Sequence, residues 1–219
     1  MKQYWEIPGP SKAPKEHCIA FRKLDGSNIR YEYSKKRGWY KFGARHRMID
    51  KSDEQFGDAI SLFLNRYGDS IPKIIKDDKK YRGVTNFVAY CEYFGPSSFA
   101  GWHKEDEEKE VILFDIWIHK KGFVLPRDFV NDFGSLKTPD VIYEGNFNTQ
   151  FVEDVKNGKY LVGEGVVAKG VIKGIKNTPN GIWMAKVKTK AWIEELKRRY
   201  KDSIEFRKAL EDNLKEQGL

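Results

Sequence analysis

Residues 84–94 and 110–118 are so rich in Val, Ile, Phe, Tyr and Trp that they read as the central strands of a sheet. Branched and aromatic side chains suit a pleated surface and lose rotamer freedom in a helix. Shorter runs of similar composition recur. Cys18-Ile19-Ala20-Phe21 reads as a short strand, Ile29 to Tyr33 and Trp39 to Phe42 as a hairpin joined by the basic turn Lys35-Lys36-Arg37-Gly38, and residues 161–173 and 182–189 as two further strands. Phe56, Ile60, Phe63, Leu64 and Tyr67 recur at helical spacing and end at Gly68. Trp192, Leu196 and Tyr200 mark a helix with basic neighbours Lys197, Arg198 and Arg199; after Asp202-Ser203 a second helix is expected over Ile204 to Leu214. Residues 1–16 hold Ile7-Pro8-Gly9-Pro10 and Ala13-Pro14 and are expected to be extended rather than helical. Gly95 to Lys109 reads as a loop and a solvated charged stretch. The expected fold class is mixed α+β, an antiparallel core with helices outside it, most simply as one domain.

Composition narrows the partners. At 219 residues, 40% hydrophobic and 14% aromatic, the chain can bury a core and is not of disordered type. Its net charge of +8 points to an anionic partner. Cys18 and Cys91 lie far apart in apolar runs, which reads as two reduced core thiols and excludes a cysteine zinc site. No apolar run approaches membrane-spanning length, and Met1-Lys2-Gln3-Tyr4-Trp5 is no signal-peptide core, so a soluble, cytoplasmic monomer is expected. His17, His46, His103 and His119 are scattered, and no P-loop, dinucleotide fingerprint or Ser/His/Asp set appears.

The candidate chemistry begins at Lys23-Leu24-Asp25-Gly26-Ser27-Asn28. An apolar strand delivers Lys23 to its end, and Asp25-Gly26 signals a turn that leaves bare backbone beside it. Alone, this is equally a surface hairpin with a solvated lysine. Four motifs follow it: Glu92 in Tyr90-Cys91-Glu92-Tyr93-Phe94-Gly95; Phe114-Asp115 after Val111-Ile112-Leu113; Glu164-Gly165-Val166-Val167-Ala168-Lys169; and Lys186-Val187-Lys188. Lys186 and Lys188 are two apart on a strand, so they share one face while Trp183, Ala185 and Val187 take the other. Glu164, between Gly163 and Gly165 in an apolar run, is costly to bury without a purpose. Lysines gathered around a lysine make sense around a triphosphate.

In this order the motifs resemble those of the covalent nucleotidyltransferases, the superfamily of ATP-dependent DNA and RNA ligases and mRNA capping enzymes, over about residues 18 to 189. Within it the chain resembles the phage-type nick-sealing RNA ligases, in which an asparagine, here Asn28, stands where DNA ligases and capping enzymes usually carry arginine. The resemblance implies an ATP-grasp-like adenylyltransferase domain over residues 1–189, with C-terminal helices at 190–219 packed on it. It implies an ATP-dependent RNA ligase using Mg²⁺ or Mn²⁺, with RNA as partner, including a nicked duplex or DNA/RNA hybrid, in a phage-like setting.

Residue by residue, Lys23 would take AMP on its amine, and Lys186 and Lys188 would bind the α-phosphate and help expel pyrophosphate. Lys169 would join them in lowering the proton affinity of Lys23. Glu164 would hold the metal, and Asp115 would assist Phe114 or bind metal. Glu92 would hold the ribose, Phe114 would stack on adenine (taken alone it reads as core), Asn28 would contact the nucleotide and Asp25 would shape the lysine loop. Arg45 would engage phosphate, with Arg47 the alternative in this short motif. Asn28 weakens the readings as a DNA ligase or a capping guanylyltransferase; the retained Lys23, Glu164, Lys186 and Lys188 weaken a ligase-derived nucleic-acid-binding module. About thirty residues follow Lys188, fewer than the family's usual second domain, so the basic C-terminal helix is expected either to contact phosphate or to pack with a solvated face.

Overall fold

The computed structural model describes residues 1–94, 108–172 and 181–202. Most of the stretch expected as loop and charged surface after Phe94, and the second C-terminal helix, lie outside them. The elements run β1 (His17–Lys23), β2 (Ser27–Ser34), β3 (Gly38–Ala44), β4 (Met48–Ile49), α1 (Gly57–Tyr67), α2 (Ser70–Asp77), β5 (Asn86–Phe94), β6 (Glu110–Ile118), β7 (Gly122–Phe123), α3 (Pro126–Phe133), β8 (Val141–Asn146), α4 (Thr149–Lys156), β9 (Gly165–Val171), β10 (Ile182–Lys188) and α5 (Lys190–Arg199). They form two antiparallel sheets with helices, the mixed architecture expected. No helix among the described residues is long and apolar enough to cross a membrane.

The chain divides into two compact units, Met1–Trp5 with Asp25–Thr138, and Glu6–Leu24 with Pro139–Leu219. The first holds a six-stranded sheet in the order β4-β3-β2-β5-β6-β7. β2 and β3 close as the expected hairpin, and Asn28 of β2 lies opposite Glu92 of β5. Alternation along β2 and β5 sends Ile29, Tyr31, Phe87, Ala89, Cys91 and Tyr93 into a core with Ala59, Ile60, Phe63 and Tyr67 of α1. The Tyr31 ring stacks on Phe63 with centroids 3.7 Å apart. Across the sheet, Asn28, Arg30, Tyr90 and Glu92 take the other face. Met1–Trp5 is fastened to that side: Tyr90 donates its hydroxyl to the Lys2 carbonyl oxygen at 2.9 Å, and Tyr4 donates to Asp115 Oδ2 at 2.6 Å.

In the second unit the sheet order is β10-β9-β1-β8. Cys18, Ala20, Val166, Ala168, Trp183, Ala185 and Val187 form one apolar face, packed with Phe151, Val152 and Val155 of α4. The lead-in is not extended throughout, because Pro10–Lys12 makes one 3-10 turn. Proline at its first position loses an N–H that has no helical partner there anyway. Lys186 N–H bonds the Pro8 carbonyl oxygen at 2.9 Å, so the lead-in covers the open edge of β10. β9 starts at Gly165 rather than near 161, because Leu161 adopts φ +51° and Gly163-Glu164 bends the chain.

The buried Tyr67 hydroxyl ties α1 to β6. It lies 2.7 Å from the Lys137 carbonyl oxygen and 3.1 Å from that of Val111, and accepts the Leu113 N–H at 3.2 Å. Tyr67→Phe keeps the ring and leaves these groups without it, which costs roughly 1–3 kcal/mol. Denaturant unfolding monitored by tyrosine and tryptophan fluorescence should show the midpoint fall; an unchanged midpoint would mean the hydroxyl is dispensable.

Candidate active site

Sheet register builds the site in the second unit. Gly165 of β9 pairs with Lys23 of β1 on one side and with Lys188 of β10 on the other. Counting back in twos, Val167 pairs with Phe21 and Lys186, and Lys169 with Ile19 and Met184. Side chains alternate, so Lys23, Lys169, Lys186 and Lys188 share the face opposite the apolar core. Lys169 is buried, with its Nζ 5.1 Å from the Phe21 ring centre.

Glu164 sits at the bend immediately before β9, not on the strand as expected, because Gly165 adopts φ +147°. Its carboxylate is buried between two ammonium groups. Oε2 accepts from Lys23 Nζ at 2.7 Å, and Oε1 lies 3.3 Å from Lys188 Nζ. Burial is the largest influence on Lys188 and pulls its pKa below the usual lysine range; Glu164 raises it again, and Lys23 and then Lys186 lower it. Lys188 Nζ also lies 4.0 Å from the Trp192 ring centre on α5.

Thr189, between Lys188 and α5, locks the bend. Its N–H donates to the Glu164 carbonyl oxygen at 3.0 Å and its hydroxyl to that of Gly163 at 2.8 Å, while the same oxygen accepts the Trp192 N–H as the helix N-cap. One residue thereby fixes the backbone that carries Glu164 and the start of α5. Lys197, Arg198 and Arg199, the basic side of α5, pair with Glu194 and Glu195 of the same helix.

The first unit carries the other candidates. Glu92 Oε1 accepts the Gly26 N–H at 3.1 Å, so this carboxylate holds the turn that Asp25 opens. Asn28 is half-buried directly across from it. Phe114 is the extra residue of a bulge in β6, since Tyr90 pairs with Asp115 and Cys91 with Leu113. Its ring meets Tyr4 edge-on at 5.1 Å. Asp115 is buried and accepts the Tyr4 hydroxyl; burial first, then Asp115, pushes the Tyr4 pKa well up. Arg45 and Arg47 are both exposed, but Arg47 is bonded through both its terminal nitrogens to Asp53, whose carboxyl is held down at about 2 chiefly by that bond.

A model of the RNA ligase family matches residues 16–188. The chain belongs to that family. No curated protein matches. Among solved structures the chain is similar to a Naegleria gruberi RNA ligase: an apo mutant at TM-score 0.63 and 14% identity, and a form with PPi at TM-score 0.62 and 15% identity, each covering 90% of this chain and 58% of that one. A mutant with AMP and Mn matches at TM-score 0.61 and 14% identity, over 89% of this chain and 58% of that one. At such identities the likeness is one of fold, and the chain spans 58% of the length of these structures.

Glu164 is a buried carboxylate, the oxygen donor that a hard divalent cation takes, and a cation there would displace one of the two ammonium contacts its oxygens now make. Mg²⁺ is commonly held by one or two carboxylates, with substrate phosphates and water completing the shell. Among the described residues no group of three or more His, Cys, Asp or Glu side chains could hold a metal alone. Sequence reasoning missed Thr189, Trp192, Tyr4 and the constraint on Gly165. The first had a signal, a threonine between a strand and an amphipathic helix.

Two outcomes test this arrangement. A Cβ at Gly165 would run into the Val187 carbonyl oxygen, and φ +147° is itself strained for alanine. Gly165→Ala should lower unfolding free energy by at least about 3 kcal/mol, and an unfolding midpoint close to wild type would contradict it. Lys188 gives up its proton more readily in the folded chain than in the unfolded one. Below its folded pKa the burial cost is fully present, and it fades as pH rises towards the unfolded value of about 10.4. Wild type should therefore gain stability relative to Lys188→Met as pH rises through the alkaline range. Parallel stability curves would show that Lys188 titrates as an ordinary lysine.

Proposed function

We propose that this chain is the adenylyltransferase part of an ATP-dependent RNA ligase that works through a lysyl-AMP intermediate. The observation carrying the proposal is Glu164 buried between the ammonium groups of Lys23 and Lys188, on a sheet face shared with Lys169 and Lys186. In a lysine-rich site this gives one amine a hydrogen-bonded carboxylate and the incoming triphosphate several cations.

Lys23 bonded to Glu164 is an ammonium and cannot attack. Its proton must leave first, and Glu164 Oε2, 2.7 Å away, is placed to receive or relay it. The freed amine then attacks the α-phosphorus of ATP; a P–N bond forms, the bond to pyrophosphate breaks, and Lys186 and Lys188 neutralise the charge on the phosphates. Mg²⁺ or Mn²⁺ at Glu164 would supply further neutralisation of the triphosphate when bound. An oxygen of an RNA 5′-phosphate next displaces lysine from the adenylate, and a 3′-hydroxyl finally displaces AMP to join the strands.

In the first unit, the family resemblance assigns Glu92 to the ribose, Phe114 to adenine, Asn28 to the nucleotide, and Asp25, through the turn it opens, to the lysine loop. Arg45 takes the phosphate role rather than Arg47, which Asp53 already occupies. Asp115 supports Phe114 by anchoring Tyr4 rather than by binding metal. The proposal extends to a monomer acting in the cytoplasm, in a phage-like repair setting, on nicked RNA duplexes or DNA/RNA hybrids.

Incubation with ATP labelled on the α-phosphate and Mg²⁺ or Mn²⁺ should give a labelled protein band that survives boiling in denaturant. A chase with nicked RNA should move the label to RNA and then release AMP as the strand is sealed. Lys23→Ala should lose the band with an unchanged circular dichroism spectrum. A band of undiminished intensity in that variant would reject Lys23 as the nucleophile.

A further inference from the structure

Several exposed cations of the first unit, such as Lys73, Lys76 and Arg82, have no ion pair among the described residues, so it is position together with pairing that singles out a surface. Lys80, Lys109, Lys137, Arg47 and Arg66 each pair with a carboxylate. Lys35, Lys36 and Arg37 in the β2–β3 turn, and Lys120 and Lys121 in the β6–β7 turn, are exposed, and among the described residues none of these five has an ion pair. Both turns lie at one end of the six-stranded sheet. Ser34 pairs with Asn86, Lys35 N–H bonds the Thr85 carbonyl oxygen at 2.8 Å, and His119 N–H bonds that of Asn86 at 3.1 Å. The start of β5 therefore holds both turns.

The β2–β3 turn is built, not merely exposed. Ser34 Oγ accepts the Arg37 N–H at 3.1 Å, and Arg37 and Lys41 lie 5.2 and 5.6 Å from the centre of the Tyr40 ring. Tyr40 is itself fixed by donating to Glu32 Oε1 at 3.0 Å. Ser34, Lys35, Lys36, Arg37, Tyr40, Thr85 and Asn86 line an open depression of about 510 Å³. The Thr85 hydroxyl donates to Asn86 Oδ1, leaving the Asn86 amide as a donor. Cations on an aromatic base, neutral donors between them and no carboxylate paired to them suit a row of phosphates.

We propose that this basic rim binds the phosphodiester backbone of the RNA substrate at a distance from the nucleotide-binding residues. The inference rests on the RNA ligase reading and deepens it. Along β2, Ser34 is six residues from Asn28, roughly 20 Å at strand spacing. An RNA reaching from one to the other spans several nucleotides, so the rim senses substrate length and reads no sequence. The basic side of α5, the other candidate for this task, is already paired with Glu194 and Glu195.

The test compares wild type with Lys35→Gln/Lys36→Gln/Arg37→Gln/Lys120→Gln/Lys121→Gln and with the charge-conserving control Lys35→Arg/Lys36→Arg. Binding to a 20-base-pair nicked RNA duplex is measured as a function of salt, beside lysyl-AMP formation from labelled ATP. The neutralised variant should charge with AMP like wild type and bind the duplex at least tenfold more weakly near 0.15 M salt. Its salt slope should fall by roughly 0.7–0.9 for each phosphate that the protein no longer neutralises. The arginine control should bind like wild type, and a duplex too short to reach the rim should show no difference between the proteins. Unchanged affinity and slope for the long duplex, or a loss seen with DNA but not RNA, overturns the rim. Failure of wild type to charge with AMP instead overturns the ligase reading, independently of the rim.

Discussion

A carboxylate buried between two ammonium groups is the interaction on which the second unit's arrangement depends. Glu164 meets Lys23 at 2.7 Å and Lys188 at 3.3 Å, with little solvent at Glu164 and Lys188, and with Lys23 partly exposed. Burying a single charge in that place would cost several kcal/mol. Two cations around one anion satisfy the carboxylate and leave the cluster positive. Burial and the neighbouring lysines hold Lys188 below its usual range even beside Glu164.

Only one strand register produces that cluster. Gly165 is flanked by Lys23 and Lys188, and a slip of one residue on either side would turn a lysine into the apolar face formed by Val166, Ala168, Ala185 and Val187. The hydrophobic effect that packs that face on α4 therefore also aligns the lysines. Glycine at 165 allows the backbone to pass under the Val187 carbonyl, and Thr189 holds the bend from the other side. Chemistry and packing here are two faces of the same three strands.

Much of this was legible in the sequence, for a physical reason. Strands such as β5, β6 and β10 declare themselves by their branched and aromatic composition, and the two-residue spacing of Lys186 and Lys188 already placed them opposite Trp183, Ala185 and Val187. The helix α1 declared itself by its period and by Gly68. What escaped depends on contacts between residues remote in sequence. Glu164 looked like a strand residue because its neighbours are apolar, whereas its bend follows from a close approach of Val187 that no local pattern records. The roles of Tyr4 and Asp115 were hidden likewise: a tyrosine in an N-terminal lead-in carries no sign that it will cap a carboxylate 111 positions away.

Charge was the least legible property, because a net value of +8 says nothing about which cations are already answered. The basic run near the C-terminus reads as a nucleic-acid surface, yet three of its cations are matched within one helix by Glu194 and Glu195 at the three- and four-residue spacing that favours such pairs. The hairpin turn at Lys35-Lys36-Arg37 has fewer charges but no acidic residue among its immediate neighbours. Two carboxylates offset most of the charge of the longer run, whereas the shorter run keeps all of its own. Sequence position ranks these segments by how many charges they hold; the fold ranks them by how many remain to be neutralised.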